Sequence, residues 1–499
     1  MSRRLAPIAL AAALLAAGCG AAHTSASAGP SAAQAIPDHP LVVVDLNLDR
    51  GSGAWRAAEA VGARFPHWRR LVAQVHRSLD DTSGGMRYDR DIAPWLGSEA
   101  AVAVTGVNLT DSAHPVDYVA FVAVTDRDRL ESELRSHHGR RLTGYHGADQ
   151  FRDTQDSTYA AVTGHALLLA NTLPALHAAE DALRGAAPRL SDDPRYHAAM
   201  AQLPANSLVT AYADGSRLGQ LLSLAGLAPT VPAAERAQMT RLATTLHAAG
   251  SLTASLGADA GGVRLTVNAL PPPGGQAPAT SARPDGPPAL IGRVPTSAFA
   301  YLGAPGGLSP TSAGANAASL RAFRQVTGLS YTRDVAPLLS GAYAAYAAPG
   351  LPVSAALLLQ PRNPAAATAA MGRVTTALTR LAPDVRVRPL SVGTGQELVI
   401  GGLPIEWRRL GDVIAVSNDP AAGRPQAGDL EASPAWRSLA AQAHVPASVG
   451  FLAYLDVHGL LGLMTPVADP DAAHLGGLAA WTTSGPTGAH FEAYLQVRR

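Results

Sequence analysis

Histidine and acidic side chains, the usual acid–base and metal-binding groups, are scattered along this 499-residue chain. The tightest group of histidines is formed by His137, His138 and His146. Arg140 and Arg141 stand between them, and their positive charge opposes a bound cation, which requires neutral imidazoles. We therefore interpret this stretch as a solvated loop, with a metal site as the alternative.

Two further acidic groups could serve acid–base or metal chemistry. Asp469, Asp471 and His474 offer carboxylate oxygens and an imidazole nitrogen within one short run, but such a run is also typical of a loop followed by a capped helix. Asp192 and Asp193 stand directly before a proline, which predicts a turn and a helix cap. We favour the structural interpretation of both groups.

Asp91 and Asp334 are the acidic residues that recur in the two halves of the chain. Each follows an arginine, Arg90 or Arg333. A buried cap or ion pair would explain such a couple in a turn, and a catalytic carboxylate is the alternative.

Several classes of enzyme can be set aside on composition and motifs. The sequence contains no lysine, which removes Schiff-base and Ser-x-x-Lys chemistry. The nucleophile elbow, the zinc-protease helix motif and the phosphate-binding loop do not occur in it. A formal net charge of +1 provides no electrostatic footprint for nucleic acid. We predict no catalytic residue, no metal and no cofactor.

The single cysteine, Cys19, stands at the end of a segment that resembles a secretion signal. Arg3 and Arg4 precede a short apolar region, and residues 15–19 (LAAGC) resemble a bacterial lipobox. We predict a signal peptide over residues 1–18 and lipid attachment at Cys19, which would anchor the mature protein to the outer face of a membrane. An ordinary signal peptide with an accidental cysteine is the alternative.

The elements that would position any site divide into two similar halves. Residues 88–96 (YDRDIAPWL) return as residues 331–339 (YTRDVAPLL), with six identical positions, and further matches follow in the same order at offsets near 240 residues. Residues 19–36 are predicted to be the lipidated cysteine and a flexible tether, 37–270 a first repeat, 271–288 a Pro/Gly-rich linker and 289–499 a second repeat. Short strands joined by glycine turns and mixed with helices favour an α+β class, with mostly antiparallel sheets covered by helices.

This arrangement resembles the bacterial exported family called domain of unknown function 3352. The resemblance rests on an aromatic-x-x-Asp-aliphatic-x-Pro-x-Leu segment, present at Tyr88 to Leu96 and again at Tyr331 to Leu339. It implies an exported and often lipid-anchored protein, and it implies no activity and no catalytic residues.

Taken together, these features predict an extracytoplasmic, membrane-anchored lipoprotein that is a non-enzymatic binding or scaffold protein of the cell envelope. Its expected partners are the membrane, through the N-terminal lipid, and an envelope protein or small-molecule ligand. The alternative is an envelope hydrolase that uses Asp, Glu and His side chains. Convergence of such groups from distant segments would favour the hydrolase, and a mixed apolar groove would favour the binding protein.

Overall fold

The structure is a computed structural model that divides into two compact units, one up to residue 278 and one from residue 279. It describes residues 30–82, 86–108, 115–136, 139–153, 158–227, 231–272, 285–307, 317–424, 428–464, 470–485 and 488–499. The predicted signal peptide and Cys19 lie outside these residues, as do His137, His138 and Asp469.

The described part of the first unit is built on an antiparallel sheet. Its strands are β1 (Val42–Asn47), β2 (Leu96–Val107), β3 (Val116–Val124), β4 (Gly139–Arg141), β5 (Asp149–Asp153), β6 (Tyr159–Thr163), β7 (Ala166–Ala170), β8 (Val209–Asp214), β9 (Ser251–Asp259) and β10 (Gly262–Leu270). They pair in the order β4-β5-β6-β7-β3-β2-β1-β8-β9-β10.

The described part of the second unit also holds an antiparallel sheet. Its strands are β11 (Ala300–Ala304), β12 (Ala342–Ala348), β13 (Ser354–Gln360), β14 (Arg386–Pro389), β15 (Gly395–Ile400), β16 (Leu403–Leu410), β17 (Val413–Ser417), β18 (Phe451–Asp456), β19 (Leu475–Gly485) and β20 (Gly488–Val497). The pairing order β14-β15-β16-β17-β13-β12-β11-β18-β19-β20 follows the same scheme as in the first unit.

Helices accompany both sheets. The first unit contains α1 (Ala32–Ala35), α2 (Gly53–Gly62), α3 (Trp68–Thr82), α4 (Arg127–Ser136), α5 (Leu173–Leu183), α6 (Pro194–Met200), α7 (Gly215–Gly226) and α8 (Ala233–Ala249). The second contains α9 (Ala317–Thr327), α10 (Pro364–Leu381), α11 (Pro434–Ala443) and α12 (Val457–Met464). Mixed helices and antiparallel strands confirm the α+β prediction. None of the helices within the described ranges is long and apolar enough to cross a membrane.

The central strands of each sheet are buried on both faces, because their side chains alternate between two apolar clusters. In the first unit, Val119 and Phe121 of β3 point into one cluster while Val122 and Val124 point into the other. This accounts for the continuous apolar runs in the sequence. In a sheet with one face exposed to solvent, apolar and polar residues would alternate along each strand.

The predicted C-terminal boundary of the tether, at residue 36, is wrong. Residues 31–36 are not a free linker: Ser31 and Gln34 form a capping box around α1, and Ala32, Ala35 and Ile36 are at most 1% exposed in the core. The backbone N–H of Leu190 also donates to the carbonyl of Ile36. The alanine-rich composition concealed this, because small residues pack closely on a sheet and still resemble a linker in sequence.

Candidate functional site

Asp91, the first of the repeated carboxylates, lies inside a short π-helical turn at Tyr88–Ile92 and is 3% exposed. The Arg87 backbone N–H donates to its carboxylate at 2.8 Å, and Arg90 donates through two nitrogens, of which Nη2 lies 2.8 Å away. The indole N–H of Trp95 donates to the Asp91 carbonyl. Asp91 therefore bonds a backbone N–H four residues before it, rather than capping a helix that starts after it.

Asp334 occupies the same kind of turn, Tyr331–Val335, and is 0% exposed. It accepts the Ser330 backbone N–H at 2.7 Å, Nε and Nη2 of Arg333 at 2.8 and 3.1 Å, and Nε of Arg373 at 2.6 Å. The hydrogen bonds from Arg333 hold the pKa of Asp334 well below its usual range, with help from Ser330 and Arg373. A carboxylate held this firmly in its charged form is a poor proton acceptor at neutral pH.

The geometry of both repeated carboxylates therefore matches the ion-pair interpretation. Their acceptor positions are taken by donors from the same turn and, for Asp334, from Arg373 on α10. The turn is fixed in place by these bonds, so the repeated sequence marks a structural staple of each unit.

The described members of the remaining sequence candidates take part in turns, caps and ion pairs. Among the residues that the structure describes, no group of three or more His, Cys, Asp or Glu side chains could hold a metal ion. Asp193 caps α6 by accepting the Arg195 backbone N–H at 2.8 Å, and Asp192 pairs with Arg189 at 3.0 Å. His474 ends a short 3₁₀ turn, Ala472–His474, and Asp471 immediately precedes that turn.

Sequence reasoning missed one acidic pair that the sheet brings together. Asp45 on β1 and Glu99 on β2 share a hydrogen bond, and burial, followed by the nearby charge of Glu99, raises the pKa of Asp45 well above its ordinary value. Glu99 also accepts the backbone N–H of Ala32, the first residue of α1, at 3.0 Å. The pair thus lies under the N-terminal segment, and its formation depends on strand pairing that no local pattern reveals.

A second group that was missed surrounds α5. Glu180 is 2% exposed, and the Gln150 side-chain amide donates to its Oε2 at 2.7 Å. The Tyr145 ring stacks on His177 at 3.8 Å between centroids, and its hydroxyl donates to Asp181 at 3.2 Å. Burial raises the pKa of Glu180 to about 7 and lowers the pKa of His177. Perturbed groups that converge from separate segments are a common mark of function.

The third feature is a groove of about 550 Å³ between α7 and α8. It is lined by Gly219, Gln220, Ser223, Leu224, Ala243, Thr244 and His247. The two helices approach closely because glycine lies at the contact: a Cβ on Gly219 would stand 2.6 Å from the Ala243 carbonyl oxygen. Leu224 remains 56% exposed at the edge of the groove. The groove therefore has a mixed lining of apolar and polar side chains.

The family model of a protein of unknown function, DUF3352, matches residues 5–392. The chain belongs to this family. The resemblance predicted from the repeated aromatic–aspartate–proline segment is thereby confirmed. DUF3352 membership assigns no role to any residue, so the candidate sites rest on the geometry described above.

The chain is only weakly similar to solved structures of another protein, TP0453. No curated protein matches the chain. Crystal form I of TP0453 is 12% identical with a TM-score of 0.28, covering 49% of this chain and 80% of that one. Crystal form III of the same protein is 11% identical with a TM-score of 0.26, covering 49% and 81%. Similarity at this level supports no conclusion about fold or function.

Proposed function

We propose that this DUF3352 protein is a lipid-anchored, extracytoplasmic binding protein without enzymatic activity. In this proposal Cys19 carries the lipid, and the groove between α7 and α8 receives a helical segment of an envelope protein. The groove is the observation that carries the proposal, because it is a mixed apolar and polar surface of the kind expected for a binding protein.

The shape of the groove supports a helical ligand. Successive lining residues are one or three positions apart on both α7 and α8, so one face of each helix borders the groove. Two helices packed side by side leave a furrow into which the ridge of a third helix fits. Leu224 would then be covered by an apolar residue of the partner, while Gln220 and Thr244 would bond to its polar flank.

We further propose that the two units arose by tandem duplication. The common strand order and the similarly bonded Asp91 and Asp334 support this interpretation. If the coordinates of the two units are superposed strand by strand, the two π-helical turns are expected to coincide. Turns that fall on unlike strands would count against duplication.

The anchor is tested with Cys19→Ala. Metabolic labelling with an acyl precursor should mark the parent and not the variant, and the variant should be released from membranes. Retention of both proteins in the same membrane fraction, with lipid on neither, would exclude the lipobox interpretation. Because Ser31 caps α1, the proposed tether from Cys19 would contain about 12 residues and, if fully extended, reach at most about 40 Å.

The groove is tested by site-specific photo-crosslinking in the native envelope, with the crosslinker at Gln220 or Thr244. The matched control is Gln238, an exposed position on α8 that does not line the groove. We expect one protein partner to be captured from the groove positions and not from the control. Leu224→Glu should abolish capture, whereas Leu227→Glu, which changes a 74% exposed leucine outside the lining, should retain it.

Equal capture from Gln238, or capture that survives Leu224→Glu, would rule out the groove as the binding surface. Recovery of a small apolar molecule in place of a protein would reassign the ligand and contradict the helix proposal.

The hydrolase remains a second candidate because Glu180, His177 and Asp181 converge with Tyr145 in the first unit. Turnover of a cell-wall or lipid substrate that is lost in Glu180→Gln would support it and overturn the non-enzymatic proposal. A partner captured equally by the parent and by Glu180→Gln, without such turnover, would favour the binding protein.

A further inference from the structure

Tyr145 and His146 lie in a tight turn whose backbone is fixed by local bonds. The Ala148 N–H donates to the Tyr145 carbonyl at 3.0 Å, which closes the turn. His146 and Gly147 have φ angles of 48° and 86°, and a left-handed conformation is costly for a residue with a Cβ such as histidine. The turn is thus closed by a local backbone bond, with glycine at one of its two left-handed positions and histidine at the other.

The turn lies against α5 through a small number of specific contacts. The Tyr145 ring stacks on His177 with an interplanar angle of 8°, and its hydroxyl bonds Asp181 at 3.2 and 3.4 Å. His146 is edge-on to Tyr145 at 4.1 Å and lies 4.0 Å from Asp181. These contacts join Tyr145 and His146 to one face of α5.

Beneath the turn, two polar atoms are buried without a hydrogen-bond partner in the described structure: Nε2 of His177 and Oε1 of Glu180. A buried carboxylate oxygen without a donor is expensive while charged and much less so while protonated. The other oxygen of Glu180 has one neutral donor, Gln150. The closed arrangement therefore suits a protonated Glu180.

We propose that residues 145–148 form a proton-dependent latch on α5, which is docked while Glu180 carries a proton and released when Glu180 ionises. Release would admit water to the carboxylate and separate Tyr145 from Asp181. This device is independent of the α7–α8 groove and of the lipid anchor.

The charges around Glu180 agree with this direction. Asp181 and His177 stand on α5, Arg184 is the residue at its C-terminal cap, and the turn contributes Tyr145 and His146. Helix α1 packs on α5 and contains no titratable residue. On strands β3, β5 and β6, alternation places Asp117, Arg152 and Tyr159 on the sheet face towards α5, and it places Asp45 and Glu99 on the same face at β1 and β2. Asp181 opposes ionisation of Glu180, Arg184 favours it, and burial is the largest cause of the raised pKa.

Docking of the latch is linked to the binding of a proton by Glu180. The pKa of Glu180 is about 7 when the latch is docked and would return towards the ordinary 4.5 on release. The docked state then binds more protons between these values, so docking is strongest at acidic pH and weakens as pH rises towards 7. These two values correspond to about a tenfold loss of docking between pH 6 and pH 8.

The test is hydrogen–deuterium exchange on the full chain with Cys19→Ala, corrected for intrinsic exchange, following peptides that cover residues 143–153. We expect protection to fall about tenfold from pH 6 to pH 8 in the parent and to stay constant in Glu180→Gln, which imitates the protonated acid. The glycine turn at Gly401 and Gly402 serves as an internal control without titratable side chains of its own.

A second variant separates the latch from general loosening. Tyr145→Phe keeps the stacking ring and loses the bond to Asp181, so it should lower protection at every pH while the dependence on pH remains. The proposal is overturned if the parent shows no change in protection with pH, if the turn is unprotected throughout, or if Glu180→Gln retains the parent's pH dependence.

Discussion

The two units share a strand order but differ in which buried carboxylates they contain. Asp91 and Asp334 both stand in a π-helical turn, both accept a backbone N–H from four residues earlier, and both pair with the preceding arginine. Asp45 and Glu99 stand at positions of the first unit whose counterparts in the second unit are not acidic, and Glu180 lies on a helix that has no counterpart among the described residues of the second unit. The shared carboxylates therefore belong to the fold, and the unshared ones are additions to it.

The Asp45 position shows what the fold itself requires. Ala101 and Ala344 each stand ten residues after the aspartate of the turn, and they pair with Asp45 and Gly303 respectively. At Gly303 the space is taken by Tyr301, whose hydroxyl donates to the Ala289 carbonyl at 2.7 Å. Counted in the same way, Glu99 corresponds to Ala342. An apolar and aromatic filling thus satisfies the sheet, so the acidic pair is not needed for strand pairing.

The Glu180 position shows the same contrast at the level of a helix. After β7 the first unit forms α5, which carries His177, Glu180 and Asp181. After β17 the described residues of the second unit form turns, with Asp419 accepting the Ala421 N–H at 2.9 Å. The helix bearing the latch contacts is therefore a feature of the first unit among the described residues.

The largest effect in this comparison is expected from Asp334→Ala. Removing the fully buried carboxylate leaves the Ser330 backbone N–H without its acceptor, while the partly exposed Arg333 and Arg373 can return to water, so the substitution should destabilise the protein by about 2–3 kcal/mol. Because the pKa of Asp334 is held low, its contribution is present above the ordinary pKa and is lost only as pH falls through the lowered one, so the loss should be constant from pH 5 to 8.

Chemical denaturation of the Cys19→Ala protein measures this change. Asp91→Ala should have a similar effect on the first unit, while Asp429→Ala, which removes only a bond to the Ala432 N–H, should cost about 1 kcal/mol. If Asp334→Ala cost no more than Asp429→Ala, the staple interpretation would be wrong.

An intermediate effect is expected from Gly303→Asp, which places in the second unit the residue that the first unit carries at Asp45. A Cβ at this position overlaps the Tyr301 hydroxyl, so the substitution should cost about 1–3 kcal/mol through overpacking. Thermal unfolding measures the loss, and Gly303→Ala separates the overlap from the buried charge. A stable Gly303→Asp protein would mean that the two units tolerate the same residues after all.

The smallest effect is expected from Asp45→Asn, because Asn keeps the shape of the side chain and removes only its charge. The raised pKa of Asp45 means that folding favours the protonated acid, so the parent loses stability as pH rises from the ordinary value of 3.8 through the raised one. Relative to the parent, Asp45→Asn should therefore gain stability with rising pH and match it at acidic pH.

Denaturation midpoints at pH 4 and pH 8 measure this difference. Glu99→Gln removes the other member of the pair and should likewise reduce the pH dependence. A parent and an Asp45→Asn variant with identical pH profiles would show that folding does not raise the pKa of Asp45.

Features of the fold and of the candidate sites were predictable where they depend on residues close together in the sequence. The α+β class, the family and the ion pairs of Asp91 and Asp334 follow from spacing within a few residues. The helix caps at Asp193 and the turn at Asp192 follow for the same reason. The end of the tether was wrong because Ala32, Ala35 and Ile36 are buried by distant partners, and nothing in their immediate neighbours indicates that contact.

By itself the sequence determined the alternation of elements, the recurring turn and its Asp–Arg couple, because these depend on neighbouring residues and their backbone preferences. Only the tertiary structure decided that Asp45 meets Glu99, that Gln150 and Tyr145 reach α5, and that α7 and α8 border a groove. These residues are separated by tens of positions, and the pKa of a carboxyl group responds to burial and to charges brought close in space. Strand pairing and helix packing set both, so the chemistry of these groups emerges only when the chain has folded.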